Sequence, residues 1–191
     1  MTDASTLVRA ARKSRRLTQE QLAELSHIDQ GSVSRSERGR DADFSTIDRL
    51  LAGAGHRLYS APTRRSDAAT VAADIRGRLG EGDKDRALRA LLQLNDNLIA
   101  EHGLVRGILG LAEPESTKDP VWDAAIAALV AWRLGEEAIP LPTWVDAPER
   151  FLTVPRTLEV DRADPVPPLS EVPAEFVKRG VLAWRDTFAS V

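Results

Sequence analysis

The sequence has no cysteine, one methionine and one tyrosine among its 191 residues. Without cysteine the chain can form no disulfide, no thiolate metal site and no cysteine nucleophile. Long apolar runs are also missing. The longest, residues 124–132, has nine residues, and a membrane-spanning helix needs roughly 20. The first residues contain no uninterrupted apolar core of the signal-peptide kind. We therefore expect a cytoplasmic globular protein.

Recognisable catalytic and metal-binding motifs are missing too. There is no HExxH, phosphate-loop or GxSxG pattern, and the three histidines, His27, His56 and His102, are scattered along the chain. Acidic pairs such as Glu136-Glu137 border predicted helices, where solvated carboxylates are common. We therefore expect no enzymatic activity, no catalytic residue, no metal and no cofactor.

Charge is distributed unevenly along the chain. Residues 1–65 carry 12 Lys and Arg against 8 Asp and Glu, whereas residues 66–191 carry 14 against 21. A basic N-terminal region followed by an acidic remainder indicates that only the first of the two meets a polyanion. The alternative is a chance fluctuation of composition.

Helical periodicity predicts a mainly α fold. In residues 1–61 we expect four short helices, at about 5–14, from 18, at 29–38 and at 45–54. Thr18 and Gln21 have the spacing of a capping box, and Ser45 and Asp48 form a similar pair at the fourth helix. A short strand is expected at 57–60, before Pro62.

Residues 62–68 are expected to be a polar linker, and residues 69–191 a helical partner-binding or regulatory domain. Within this domain, residues 121–134 are apolar almost all round, which is typical of a central helix. Residues 139–173 hold eight of the 11 prolines, so we expect irregular or extended chain there. A last helical stretch is expected at 174–191, with Gly180 as a point where it can break.

One motif in the N-terminal region carries a specific resemblance. Its elements occur in order and with intact spacing: Thr18-Gln19, Leu22-Ala23, Ile28, Val33-Ser34-Arg35 and Glu37-Arg38-Gly39. Residues 7–55 thereby resemble the Xre/lambda-repressor-like helix-turn-helix family. The resemblance implies a four-helix DNA-binding bundle and covers about a quarter of the chain. It makes the chain a candidate sequence-specific transcriptional repressor.

The spacing of this motif has a physical basis. Two helices that cross steeply need a small residue at the closest point, which Ala23 provides, and an apolar wedge is expected from Leu22, Leu25, Ile28 and Val33. His27 stands where glycine is usual, and we expect it to adopt a left-handed conformation at a cost of about 1 kcal/mol. Ser36 stands where an apolar residue is usual, and we expect the only consequence to be weaker packing at that position.

The resemblance also implies which residues contact DNA. Gln30 would bond adenine and Arg35 guanine, while Gly31 leaves one common base-contacting position empty. The helix N-terminus at Gln19 corresponds to a phosphate anchor in phage repressors. For the arginines, the alternative is a solvated surface charge. The full predicted set is Gln19, Gln30, Gly31, Ser32, Ser34, Arg35, Arg38 and Arg40, with Arg38 and Arg40 placed for backbone phosphates. Glu37 is expected to pair with an arginine within the domain.

A domain of this kind covers one half-site, so we expect a homodimer on double-stranded operator DNA, with half-sites about 34 Å apart or a multiple of that. The extended segment at Arg57, Leu58 and Tyr59 could pair with its copy across a twofold axis. Alternatively, it folds back on its own domain.

For the acidic remainder two functions stay open. In the first, the chain is the antitoxin of a toxin–antitoxin pair that represses its own operon and wraps a basic toxin with its proline-rich part. Residues 173–191 are similar to the tails of such proteins encoded beside nucleotidyltransferase-like toxins. In the second, the remainder senses a small molecule; a domain used only for assembly is a further alternative. Trp144, among prolines, is predicted to anchor a partner, with a buried core position as the alternative.

Overall fold

The computed structural model describes residues 4–58, 60–161 and 165–189. The chain divides into two compact units, Met1–Thr63 and Arg64–Val191, each with its own hydrophobic core. The fold is mainly α, as the sequence predicts.

Four helices make up the described part of the first unit: α1 (Ala4–Ser14), α2 (Gln19–Ser26), α3 (Gln30–Glu37) and α4 (Phe44–Gly53). The capping box predicted at the start of α2 is present, with the Gln21 amide donating to the Thr18 hydroxyl and the Thr18 amide to the Gln21 side chain. Asp29 caps α3 as its N-cap residue. The cap predicted for α4 is wrong: Asp43, not Ser45, accepts the Thr46 amide, because the helix begins one residue before Ser45.

The core of the first unit consists of apolar side chains from all four helices. Val8, Leu22, Val33 and Leu50 have at most 1% of their surface exposed. Leu25 is 56% exposed, so its predicted place in the apolar wedge is wrong. Buried Ser26, the next residue along α2, points inward and bonds the Leu22 carbonyl, which leaves Leu25 on the outer side of the helix.

The segment after α4 differs from its prediction. Arg57, Leu58 and Ser60 form no strand in the single chain, and Tyr59 lies outside the described residues. Leu58 is half-buried against the core of its own unit. A strand that pairs only with a second copy has no partner in one chain, so the predicted pairing stays a prediction.

The second unit contains five further α-helices among its described residues: α5 (Ala68–Gly80), α6 (Lys84–Ala100), α7 (Gly103–Leu111), α8 (Pro120–Gly135) and α9 (Ala174–Lys178). Helix α8 is central, since 13 of its residues are buried. This confirms the helix predicted from its uniform apolar character. No helix in the described part of the chain is long and apolar enough to cross a membrane.

The proline-rich segment is irregular, as predicted. Its described residues form single 3-10 turns, such as Thr143–Asp146 and Pro148–Arg150, and one two-residue strand, β1 (Arg156–Thr157), which pairs in parallel with β2 (Val181–Leu182). The prediction of a last helical stretch is wrong beyond α9. Gly180, at φ +73°, ends the helix and leads the chain into β2. The backbone of β2 then bonds to β1 instead of continuing a helix.

Buried arginines form hydrogen bonds between separate segments of the second unit. Arg133, on α8, donates to the Asn95 side chain at 2.8 Å and to the Phe188 carbonyl at 3.1 Å. Arg179 is fully buried and pairs with Asp146 at 2.8 Å. These side chains connect helices with irregular segments through hydrogen bonds to carbonyl and carboxylate oxygens, which offsets the cost of burying their charge.

Candidate nucleic-acid interface

The turn between α2 and α3 is fixed by local and tertiary contacts. His27 adopts the expected left-handed conformation, at φ 54° and ψ 42°. The Ile28 amide then bonds the Ala23 carbonyl at 3.0 Å. From α4, the Arg49 guanidinium donates to the carbonyls of Ser26 and His27, at 3.1 and 2.6 Å. Arg49 therefore satisfies the exposed carbonyls at the end of α2, where a positive charge also suits the helix dipole.

Glu37 connects the first three helices. Its carboxylate accepts the Arg12 Nε at 2.6 Å, the Arg12 Nη2 at 2.9 Å and the Gln19 side-chain amide at 2.9 Å. This confirms that Glu37 pairs with an arginine within the domain. Burial alone would raise the pKa of Glu37, but the bonds from Arg12 and Gln19 outweigh it and hold that pKa below its usual value of 4.5. The carboxylate is therefore charged at neutral pH and fixes α3 against α1 and α2.

Helix α3 has one buried and one outward face. Val33, Ser36 and Glu37 are buried and occupy one side of the helical circumference. The remaining residues lie on the other side, which we call the outer face of α3: Gln30, Gly31, Ser32, Ser34 and Arg35, with Arg38 following as the C-cap. All the base-contacting residues expected from the sequence therefore share one surface. Ser36 occupies the inner side in place of an apolar residue and remains 6% exposed.

At the N-terminal end of this outer face, three side chains form a chain of polar contacts. The Ser32 hydroxyl donates to the Asp29 carboxylate at 2.6 Å, and the Arg35 Nη2 donates to the Ser32 hydroxyl oxygen at 2.7 Å. Arg35 also lies 3.7 Å from the Asp29 Oδ1. Bonds from the Ser32 hydroxyl and amide hold the pKa of Asp29 below its usual value of 3.8.

The loop between α3 and α4 adds positively and negatively charged side chains to this surface. Arg35 and Arg40 line one open cleft together with Asp41 and Asp43. Hydrogen bonds from the Ser45 hydroxyl and from Thr46 lower the pKa of Asp43 to about 2. The cleft therefore places acidic groups beside two of the predicted DNA-contacting arginines.

Gln19 and Arg38 are partly engaged within the unit. The Gln19 amide nitrogen donates to Glu37, and the Arg38 Nε donates to the Ser34 carbonyl at 3.2 Å. Both contacts leave further N–H groups on these side chains. Gln19 is half-buried and Arg38 is exposed, and their predicted contacts with phosphates stay predictions.

The residues predicted to contact a second copy of the chain or a protein partner lie outside this surface. Arg57 is exposed, and Leu58 is half-buried in its own unit. Trp144 is 5% exposed, and its indole nitrogen donates to the Gly110 carbonyl at 3.0 Å. Since this ring packs inside the second unit, the prediction that it faces a partner is corrected to a core position. The surrounding prolines indicated an irregular segment, not an exposed one.

Two residues of the first unit have roles that the sequence does not predict. Asp29 enters the sequence analysis only as the start of the third predicted helix, and its contact with Arg35 depends on the path of a long side chain. Arg49 lies 22 residues from His27 along the chain. No spacing rule connects such a pair, so its role is visible only in the folded unit.

Comparison with known families agrees with this geometry. Residues 8–53 match the family described as Helix-turn-helix. No curated protein matches the chain. No solved structure matches it either. The family match confirms the resemblance of the N-terminal region to Xre/lambda-repressor-like domains, which bind DNA and regulate transcription.

Proposed function

We propose that this DNA-binding transcription regulator acts as a sequence-specific repressor and places the outer face of α3 in the major groove of operator DNA. The observation that carries the proposal is the division of α3 into two faces, one buried and one polar and outward. A recognition helix needs this arrangement, because side chains that pack the core cannot contact bases.

Individual roles follow from side-chain chemistry. Gln30 offers one donor and one acceptor, which suit adenine N7 and N6, and Arg35 offers paired donors, which suit guanine O6 and N7. Ser32 and Ser34 can bond either kind of base or a phosphate. Arg38 and Arg40 lie past these residues and suit the sugar-phosphate backbone, with Gln19 as a further phosphate contact.

Arg35 and Arg40 provide a matched pair of tests, since both are exposed arginines lining the same cleft. A duplex that the full chain prefers is first selected from a randomised pool. Arg35→Ala is expected to reduce discrimination at one base pair by about 1–3 kcal/mol. Arg40→Ala should weaken binding to all duplexes and lower the slope of log affinity against log salt by about 1.

Gel shifts with the selected duplex and its single-base variants, over a range of salt concentrations, measure both effects. If Arg35→Ala leaves the base preference unchanged, Arg35 does not contact a base. If the full chain selects no preferred duplex, the proposal of sequence-specific binding fails.

We propose further that the chain binds as a homodimer, because one α3 covers a single half-site. The segment at Arg57, Leu58 and Tyr59 is the candidate contact. Sedimentation of the full chain with the selected duplex should give two chains per duplex. A stoichiometry of one would contradict the dimer.

For the second unit we propose an antitoxin function, in which it binds and neutralises a basic toxin protein. Two observations support this. Residues 66–191 carry an excess of acidic residues. On α7, Leu104 is 80% and Leu111 is 59% exposed, and half-buried Ile108 lies between them. Exposed apolar side chains on one helix face are typical of a protein interaction surface.

The test is co-expression with the product of the adjacent gene. A small basic protein that arrests growth alone, and not together with this chain, is the expected result; a nucleotidyltransferase-like toxin is one candidate. A neighbouring metabolic or transport protein, together with a small molecule that alters affinity for the selected duplex, would contradict the antitoxin and favour a sensor.

A further inference from the structure

Gly31 lies on the outer face of α3, near the N-terminal end of the helix. In helix-turn-helix proteins this end of the recognition helix contacts base edges. A Cβ atom built on this glycine would lie 3.1 Å from the Arg35 Nη1 and 3.1 Å from the Asp29 Oδ1. The space beside Gly31 is therefore bordered by the Arg35 guanidinium, which has turned back along the helix by one turn.

Two neighbours hold the guanidinium in this place. The Ser32 hydroxyl oxygen accepts the Arg35 Nη2 at 2.7 Å, and that hydroxyl is itself bonded to Asp29 at 2.6 Å. Asp29 is fixed in turn by the Ser32 amide at 2.8 Å. The arginine is thus attached to the capped first turn of α3, although its own Cα lies on the next turn.

We infer that Arg35 occupies the base-contacting position that Gly31 leaves vacant, and that Gly31, Ser32 and Asp29 are positioning residues for its guanidinium. This inference rests on the proposed function, in which the outer face of α3 contacts bases. It replaces the expectation that the position at Gly31 is empty.

The arrangement has a chemical consequence for recognition. A planar guanidinium has five N–H groups, so its bond to Ser32 leaves donors for the O6 and N7 atoms of guanine. The carboxylate of Asp29 would be repelled by nearby phosphates if it were unpaired. The adjacent Arg35 charge offsets this repulsion, and a held side chain loses less rotamer freedom when it binds.

A double-mutant cycle on the full chain tests the inference. The probes are the selected duplex and its three variants at the base pair that responds to Arg35→Ala. We expect Arg35→Ala to reduce discrimination at that pair by about 5- to 150-fold. Gly31→Ala should cause part of the same loss at the same pair, because its Cβ displaces the guanidinium. In the double variant, Gly31→Ala should add nothing to the effect of Arg35→Ala.

Two control variants separate positioning from folding. Gly77→Ala makes the same change on α5, where nothing lies within 4 Å of the added Cβ, and should leave base preference unchanged. Asp29→Asn keeps an acceptor for the Ser32 amide and removes the charge beside Arg35, so it should lower discrimination at the same pair. Circular dichroism should show that Gly31→Ala retains its helical content, since only the ends of flexible side chains contact the added atom.

The possible outcomes are distinct. If Gly31→Ala and Arg35→Ala have additive effects, or if they act at different base pairs, the positioning inference is wrong. If the unaltered chain selects no preferred duplex, the proposed function itself fails, and the cycle has no preference to measure.

Discussion

At the scale of single residues, Glu37 makes the stability of the first unit depend on pH. Its folded-state pKa lies below the usual value of 4.5, so the charged carboxylate stabilises the fold at neutral pH. That stabilisation should be lost as the pH falls below about 4.5 and through the folded-state pKa. Glu37→Gln should cost about 1–3 kcal/mol at pH 7, with a smaller difference at acid pH, as followed by denaturant unfolding.

Exposed Glu24, on α2 of the same unit, supplies the control for this measurement. Glu24→Gln should change stability by less than about 0.5 kcal/mol at any pH. Some acid dependence should persist in Glu37→Gln, because the pKa values of Asp29 and Asp43 are also lowered by hydrogen bonds. An equal cost of Glu37→Gln at pH 7 and below the folded-state pKa would contradict an effect of its charge.

Residues that act through their neighbours in sequence were the most predictable ones. The pairing of Thr18 with Gln21 and the left-handed His27 are confirmed, because capping and backbone preferences depend on a few adjacent positions. Leu25 and Trp144 were misplaced, because burial of an apolar side chain depends on which helix face or segment meets the core. The buried charge of Arg179 has partners more than 30 residues away in Asp146 and Val145, beyond any local rule.

At the scale of elements, helix crossings decide whether a glycine can be replaced. A Cβ on Gly53 of α4 would lie 2.9 Å from the Ser26 Cβ and backbone nitrogen on α2. Gly53→Ala should therefore push the helices apart and destabilise the first unit by about 1–3 kcal/mol. Gly77→Ala, in open space on α5, should instead stabilise its helix by about 0.5–1 kcal/mol.

Amide hydrogen exchange on the full chain can follow α4 and α5 separately. Faster exchange in α4 of Gly53→Ala and slower exchange in α5 of Gly77→Ala are the expected signs. If both substitutions slow exchange, the contact between α2 and α4 at Gly53 leaves room for a methyl group, and the expected clash does not occur. The same crossing holds the turn before α3, so a displaced α4 should also weaken the bonds from Arg49 to Ser26 and His27.

At the scale of the whole molecule, the division into two units predicts that DNA binding can be separated by substitution from the partner binding proposed for the second unit. Leu104 and Leu111 lie on the same side of α7, about two turns apart, and are largely exposed. On the opposite side α7 packs closely on α8, since a Cβ on Gly110 would lie 2.9 Å from Val130. Replacing both leucines with aspartate should therefore leave the second unit folded, because neither side chain supports its core.

The double variant Leu104→Asp, Leu111→Asp should keep its affinity for the selected duplex, because its changes lie outside the helix-turn-helix unit. Under the proposed antitoxin function, its binding to the toxin should fall at least tenfold, since carboxylates would replace the apolar contact. Arg35→Ala should show the reverse pattern, with altered DNA preference and intact neutralisation. Gel shifts and growth rescue measure the two properties in parallel. Loss of neutralisation in Arg35→Ala, or unchanged neutralisation in the leucine variant, would place the toxin surface away from α7.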